Sequence, residues 1–376
     1  MSFAALTLLA LLGLHLATIA LLIGRKTKRP AHELSRVPVS LIRPICGLDA
    51  VERKTIASSF TLAHTGHEII FCCAKADDPA VPFVEDLIRR HPHIDTKLLI
   101  GVDRTSANPK LDNIAKGWRA ARHDWIVFSD SNLLLPPDYL ASLLASWRSD
   151  TGLVCAPPVG TAPNGFWAGV ECAWLNTYQA RWQYAGDGID NGFAQGKTML
   201  WRRRDLAEAG GIAALGSELA EDAAATKVVR GQGRKVRLAD PRFFQPLGQR
   251  SLCEVVTRQI RWAQVRRLAF PFLYALEITT TGLWAILLAA LAASLVSDDV
   301  GVITLATALA AALWYGSEFA LALRLGWWAS LSSLAAMVVR DLLIPVVWVA
   351  GWRQRSYVWR GNNVQVATWS DVRQKA

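Results

Sequence analysis

Residues 124–132 read DWIVFSDSN, a nearly all-apolar run that ends abruptly in a carboxylate, Asp130, followed by Ser131 and Asn132. Such a run reads as a strand, and in open α/β sheets ligands bind beyond the carboxyl ends of strands. From there a carboxylate can hold a hard divalent cation against a diphosphate. The competing reading is a surface Asp that caps the next helix.

Outward from this strand, from about residue 36 to residue 270, short β-type runs alternate with helical ones. That alternation predicts a parallel sheet covered by helices, a doubly wound nucleotide-type α/β domain. The predicted strands are residues 39–42, 68–74, 97–101 and 124–129, with helices around 81–90 and 109–122 between them. Gly231-Gln232-Gly233 lacks the third glycine and the preceding strand of a dinucleotide fingerprint and reads as a helix-ending turn.

Both ends of the chain are apolar. Residues 2–24 are interrupted only by His15 and are long enough to cross a bilayer, with positive charge behind the run and none before it. An uncleaved anchor with its N-terminus outside fits this pattern better than a cleaved signal peptide. Arg25, Lys26, Lys28, Arg29, Arg36 and Arg43 then read as cytoplasmic flanking charge. Three further apolar stretches, roughly 278–296, 300–323 and 328–349, contain Glu318, Arg340 and Asp341, charges that at membrane depth face protein or water. Either a structural pair near the interface or a role at a lipid-binding cavity would account for them. Four crossings would leave Arg353, Arg355 and Arg360 outside, against the positive-inside rule, so the third or fourth segment is expected to be re-entrant or interfacial.

Composition agrees with a soluble domain joined to membrane helices: of 376 residues, 52% are hydrophobic and 19% charged, too few charges for disorder. The chain carries a net charge of +10, and six of its basic residues follow directly on the first apolar run, which argues for membrane flanks over nucleic acid. Six cysteines without a CxxC pair argue against structural zinc and a disulfide framework; reduced thiols acting as small core hydrophobes are expected.

Three other constellations accompany Asp130. Asp77-Asp78-Pro79 follows the second strand and suits either a nucleotide's base or ribose or an ordinary turn at a helix start. Glu221 and Asp222 open a predicted helix that continues to Arg230. Asp222 there is a general base for an acceptor hydroxyl or simply a favourable charge at a helix dipole. Arg258-Gln259-Ile260-Arg261-Trp262 offers two guanidiniums and an aromatic plane to a diphosphate and a sugar, or forms a juxtamembrane belt.

In this order the four constellations resemble the ceramide glucosyltransferase family, whose pattern is three aspartates followed by (Q/R)xxRW. The resemblance extends to PVSLIRP at 38–44, ADDPA at 76–80, ANPKLDN at 107–113, DWIVFSDSNLLLPPDYL at 124–140, GKTMLWRRRDLAEAGG at 196–211, LAEDAAATK at 219–227 and RQIRW at 258–262. It implies a GT-A domain over 36–270, an anchor over 1–24, membrane helices over 276–352 and a polar tail over 353–376, in a multi-pass protein of a bacterial inner membrane with its catalytic domain in the cytoplasm. By the same resemblance, Asp78 contacts the uridine side with Lys110 and Asn113 nearby. Asp130 binds the diphosphate through Mg²⁺ or Mn²⁺, and Asp222 is the base. Arg258, Arg261 and Trp262 hold UDP and the acceptor.

The implied function is inverting transfer of glucose, or galactose, from a UDP-sugar to the hydroxyl of a membrane lipid, with ceramide first among the acceptors. Processive diacylglycerol glycosylation, hopanoid glycosylation and polysaccharide synthesis are the alternatives. Asn132 departs from the Asp-x-Asp of many related enzymes and removes one full charge from the expected cation site. Trp167, Trp174, Trp182 and Tyr184, in a stretch the resemblance does not align, read as a partly membrane-embedded aromatic face for anchoring or lipid recognition.

Overall fold

A computed structural model describes residues 2–25, 37–102, 106, 108–218, 220–353, 356–359 and 362–365. Lys26, Lys28, Arg29, Arg36, Ala107, Leu219, Arg355 and Arg360 lie outside the described residues.

The centre is a seven-stranded sheet of order β3-β2-β1-β4-β7-β5-β8. Its strands are β1 (Val39–Ile45), β2 (His67–Cys73), β3 (Thr96–Ile100), β4 (Trp125–Ser129), β5 (Thr151–Cys155), β7 (Thr198–Arg202) and β8 (Lys235–Leu238), while β6 (Val159–Asn164) and β9 (Phe244–Gln249) form a separate parallel pair. The four predicted strands are β1 to β4, and they pair in parallel. The expectation of a parallel sheet needs one correction: β7 runs antiparallel between β4 and β5. It re-enters the sheet after the helical excursion over residues 166–188, which returns the chain at the opposite end.

Both faces are covered, and the pleat shows it. Ile42, Ile70, Cys72, Ile126 and Phe128 point into one core, while Leu41, Ile69, Phe71, Cys73 and Val127 point into the other. On the first face the helix Pro109–Ala120 lies close because residue 117 is glycine. A Cβ there would meet Ile42 Cγ2 at 2.6 Å and Cys72 Sγ at 2.9 Å. No disulfide links described residues, and Cys72, Cys73, Cys155 and Cys172 are buried core thiols.

Arg43, expected among the flanking charges, is instead a fully buried residue of β1. It donates to Thr55 O, Ser59 Oγ, Asp130 O, Ser131 O and Leu133 O at 2.6–3.1 Å, pinning the turn after β4. Five acceptors offset its desolvation, and burial still lowers its pKa to about 10. Arg25 forms an ion pair with Asp187 at 2.5 Å and fastens the first helix to the domain.

Among the described residues, three helices are long and apolar enough to cross a membrane: Phe3–Ile23, Val300–Arg324 and Leu331–Arg353. The expected segment 278–296 is not a straight span. Pro271–Thr280 and Gly282–Ser294 meet at a bend of 52°, so the irregular segment is the second apolar stretch rather than the third or fourth. At the bend Gly282 N–H donates to Asp341 Oδ2 at 2.7 Å, satisfying a backbone group that an unbroken helix would have bonded internally. With three crossings, an N-terminus outside and Arg353 inside are compatible.

Glu318, Arg340 and Asp341 are buried in one polar network. Arg340 reaches Glu318 at 2.9 Å, Asp341 at 2.7 Å and Thr177 Oγ1 at 2.7 Å. Arg181 adds a contact to Glu318 at 3.7 Å, and Tyr315 donates to Asp341 at 3.2 Å. The expected aromatic face is likewise divided. Trp174 packs among the membrane helices and Tyr184 in the sheet core, leaving Trp167 and Trp182 half-buried. The cause is a π-helical stretch, Trp174–Ala180, between the helices Phe166–Ala173 and Arg181–Gly188, which changes the angular spacing of the side chains.

Candidate active site

The carboxyl ends of β1, β2 and β4 lie side by side, which collects two expected residues, Asp78 and Asp130, at one edge. Asp78, after β2, accepts from Gly47 N–H at 3.0 Å and from Ala80 N–H at 2.9 Å. The carboxylate thus closes a turn at the start of the helix Ala80–Arg90, as the turn reading expects, and also ties β2's end to β1's.

Asp130 follows β4, and each of its carboxylate oxygens meets an ammonium: Lys110 Nζ at 2.7 Å on Oδ1 and Lys197 Nζ at 2.8 Å on Oδ2. Burial alone would raise the Asp130 pKa; the two lysines overcome it and hold the carboxyl well below the usual range. Lys110 reaches this point from the first turn of its helix, where Asn108 caps by accepting from Lys110 N–H and Leu111 N–H. Its ammonium also meets Glu221 Oε1 at 2.6 Å and Gly196 O at 2.6 Å. Asn113, one turn further along, is buried, and its Oδ1 has no hydrogen-bond partner among the described residues.

Glu221 and Asp222 begin the helix Glu221–Gly231. Glu221 accepts from Asn108 Nδ2 at 2.7 Å, and Asp222 accepts from Gly196 N–H at 3.1 Å. Gly196 therefore sits between the carboxylates and Lys110, and a Cβ there would meet Glu221 Oε1 at 2.8 Å. Burial, reinforced by the neighbouring Glu221 charge, raises the Asp222 pKa to about 6. A carboxylate so tuned is mostly ionised at neutral pH yet more basic than an ordinary one, which suits a general base.

The helix Leu252–Ala269, started by a Ser251/Glu254 capping box, runs beside the membrane helices and carries Arg258, Arg261 and Trp262. Arg258 pairs with Glu171, whose carboxylate is fully buried and also lies 3.5 Å from Arg250 Nε. Burial lowers the Lys197 pKa, the neighbouring Asp130 opposes this, and the Lys110 and Arg258 charges add a smaller lowering. Arg261 is half-buried, and Trp262 packs against the Cys172, Leu175 and Leu247 cluster.

Lys110, Asp130 and Asp222 are thus brought together, while Asp78 lies along the same strand edge. Lys197 and Glu171 were not anticipated, and Glu221, expected only as part of the helix start with Asp222, is the partner of Lys110. Lys197 lies in the quoted GKTM segment, where only the antiparallel pairing of β7 with β4 reveals its neighbour. Glu171 lies in the unaligned stretch. The donor set around Asp130 does not fit a resident divalent ion. Among the described residues no three His, Cys, Asp or Glu side chains form a group that could hold a metal ion, and both Asp130 oxygens already carry an ammonium.

A family model described as glycosyl transferase family 21 matches residues 5–371. Among curated proteins, ceramide glucosyltransferase 3 of Caenorhabditis elegans is 29% identical over 241 residues, covering 64% of this chain and 52% of the relative. The chain therefore spans about half the length of that relative. A ceramide glucosyltransferase of Komagataella phaffii is 36% identical over 99 residues, 25% of this chain and 19% of that protein. Among solved structures, a mannosyltransferase from Pyrobaculum calidifontis, in complex with GDP-Man and Mn²⁺, superposes with a TM-score of 0.54 at 17% identity, covering 90% of this chain and 99% of that one. That likeness supports a GT-A fold.

Proposed function

The chain belongs to glycosyl transferase family 21, and from that premise we propose that it is a membrane-bound inverting glycosyltransferase. It moves glucose, or galactose, from a UDP-sugar to the hydroxyl of a membrane lipid, ceramide before diacylglycerol. The carrying observation is the convergence of Asp130 and Asp222 through Lys110, Glu221 and Gly196 at the carboxyl edge of the sheet, facing a helix that packs on the membrane segments. The sheet domain then lies on the cytoplasmic face of a bacterial inner membrane, with the acceptor hydroxyl presented from the bilayer surface.

In this reading the uridine end lies toward Asp78 and Asn113, whose buried Oδ1 has no hydrogen-bond partner among the described residues. Lys110, Lys197 and Arg258 face the diphosphate. Asp222 takes the acceptor's hydroxyl proton as that oxygen bonds to the anomeric carbon. The bond from that carbon to the diphosphate breaks on the opposite side, and UDP departs with the electron pair. A divalent cation, expected from the resemblance, finds support in the Mn²⁺ of the mannosyltransferase. When bound, such an ion neutralises diphosphate charge. The residues around Asp130 provide for that neutralisation themselves, and no step here is routed through a metal.

Mass spectrometry of lipids formed by the detergent-purified chain, offered UDP-glucose and UDP-galactose with ceramide and diacylglycerol in parallel, tests this. Hexosylceramide is expected. Mono- and dihexosyl diacylglycerol would transfer the assignment to the glycerolipid acceptor, and a long radiolabelled polymer would make the chain a polysaccharide synthase.

Glu171 enters as the residue that positions Arg258. Glu171→Gln keeps the shape and removes the charge, and is expected to raise the KM for the UDP-sugar about tenfold, the value of roughly one charge-assisted hydrogen bond. Initial rates over a range of donor concentrations measure it; an unchanged KM would detach Glu171 from donor binding.

A further inference from the structure

Lys197 stands where a cation would stand. Its ammonium lies 2.8 Å from Asp130 Oδ2 and 3.1 Å from Asn132 Oδ1, the two oxygen ligands that the Asp130-Ser131-Asn132 turn can offer a metal ion. The placement is built into the backbone. Ser129 of β4 pairs with Thr198 of β7, and Asp130 N–H donates to Lys197 O at 3.0 Å, so Lys197 is held in register opposite the turn. Arg43 fixes the turn from the other side through Asp130 O, Ser131 O and Leu133 O.

Charge counting points the same way. Three carboxylates, Asp130, Glu221 and Asp222, stand near two ammoniums, Lys110 and Lys197, and the one in the turn, Asp130, has both its oxygens paired with an ammonium before any ion arrives. A divalent ion entering between Asp130 and Asn132 would have to displace Lys197 and would meet Lys110 on the same carboxylate, with only one formal negative charge among its protein ligands. Replacing the second acid of the turn by Asn132 removes the charge that would have favoured the ion, while an amide oxygen still accepts from an ammonium.

We propose that Lys197 holds the divalent cation's position in this chain, and that with Lys110 it binds a nucleoside diphosphate so that donor binding requires no divalent ion. The proposal rests on the nucleotide-sugar reading above. When the diphosphate arrives, Lys197, bonded to Asp130 and Asn132, has one N–H left to turn toward a phosphate oxygen, while Lys110, whose three N–H groups are taken by Asp130, Glu221 and Gly196 O, contributes its charge.

Isothermal titration of the full chain in detergent with UDP, in EDTA and in excess Mn²⁺, tests this without turnover. Wild-type affinity is expected to agree within about threefold between the two buffers. Lys197→Met is expected to bind UDP about tenfold to a hundredfold more weakly in EDTA, the loss of one charge-assisted contact, and to recover part of that in Mn²⁺ because Asp130 and Asn132 are freed for the ion. Recovery by Mn²⁺ also demonstrates that the variant is folded. A wild-type affinity that falls more than about tenfold in EDTA overturns the proposal, as does a Lys197→Met variant that binds normally there. Absence of UDP binding by the wild type in every buffer would overturn the donor reading, and this inference with it.

Discussion

Asp222→Asn is expected to lower kcat about 10²- to 10⁴-fold, the range of a positioned general base, with little change in KM for the donor. The substitution removes the proton acceptor while an amide oxygen can still take the Gly196 N–H now held at 3.1 Å, so the local backbone survives. In the wild type, kcat/KM is expected to fall as pH drops through about 6, because burial and then the Glu221 charge hold the proton on Asp222 longer than on an ordinary carboxyl. The sign follows from the role: the base works ionised, so activity is present above that pKa and lost below it, roughly tenfold per pH unit. An unshifted carboxylate would keep the rate level down to about pH 4. Rates from about pH 5 to about pH 8 separate the two, and an Asp222→Asn variant with wild-type turnover would remove Asp222 from the chemistry.

The second large effect concerns stability. Arg340→Met would leave Glu318 and Asp341 buried without the guanidinium that contacts them at 2.9 and 2.7 Å, and a broken buried pair costs about 3–5 kcal/mol. Arg340 ties the last membrane helix to the Val300–Arg324 helix and, through Thr177 Oγ1 and Ala173 O, to the helical block beneath the sheet. Loss is therefore expected to appear as a lower unfolding temperature and aggregation in detergent, ahead of any specific defect in donor binding. Adding Glu318→Gln and Asp341→Asn to Arg340→Met removes the stranded charges and is expected to recover part of the loss. Equal stability of wild type and single variant would show that the network contributes nothing net.

Much of the molecule was readable from local pattern. β1 to β4, the helices bearing Lys110 and Asp222, and the apolar ends follow from period, length and capping, all properties of neighbouring residues. What misled the reading was context. Arg43 carries the charge of a membrane flank, yet five backbone and hydroxyl acceptors converge on it only when β1, residues 55–59 and the turn after β4 are assembled. The second apolar stretch has the composition of a span, and its bend at Thr281–Gly282 depends on Asp341, 59 residues away.

The site divides the same way. Asp78, Asp130, Asp222 and the Arg258–Trp262 segment are marked in one dimension because each sits at the end of a strand or the start of a helix, or within a recognisable motif. Lys197, Glu221 and Glu171 owe their places to pairings across long separations: Lys110 with Glu221 over 111 residues, Lys197 with Asn132 over 65 and Arg258 with Glu171 over 87. Secondary structure and membrane segments are encoded by short-range sterics and hydrophobic periodicity, so the chain alone dictated them. Which ammonium stands on which carboxylate depends on strand order and on the antiparallel return of β7, and Coulomb energies that vary over a few ångströms take their values only once the tertiary structure has formed.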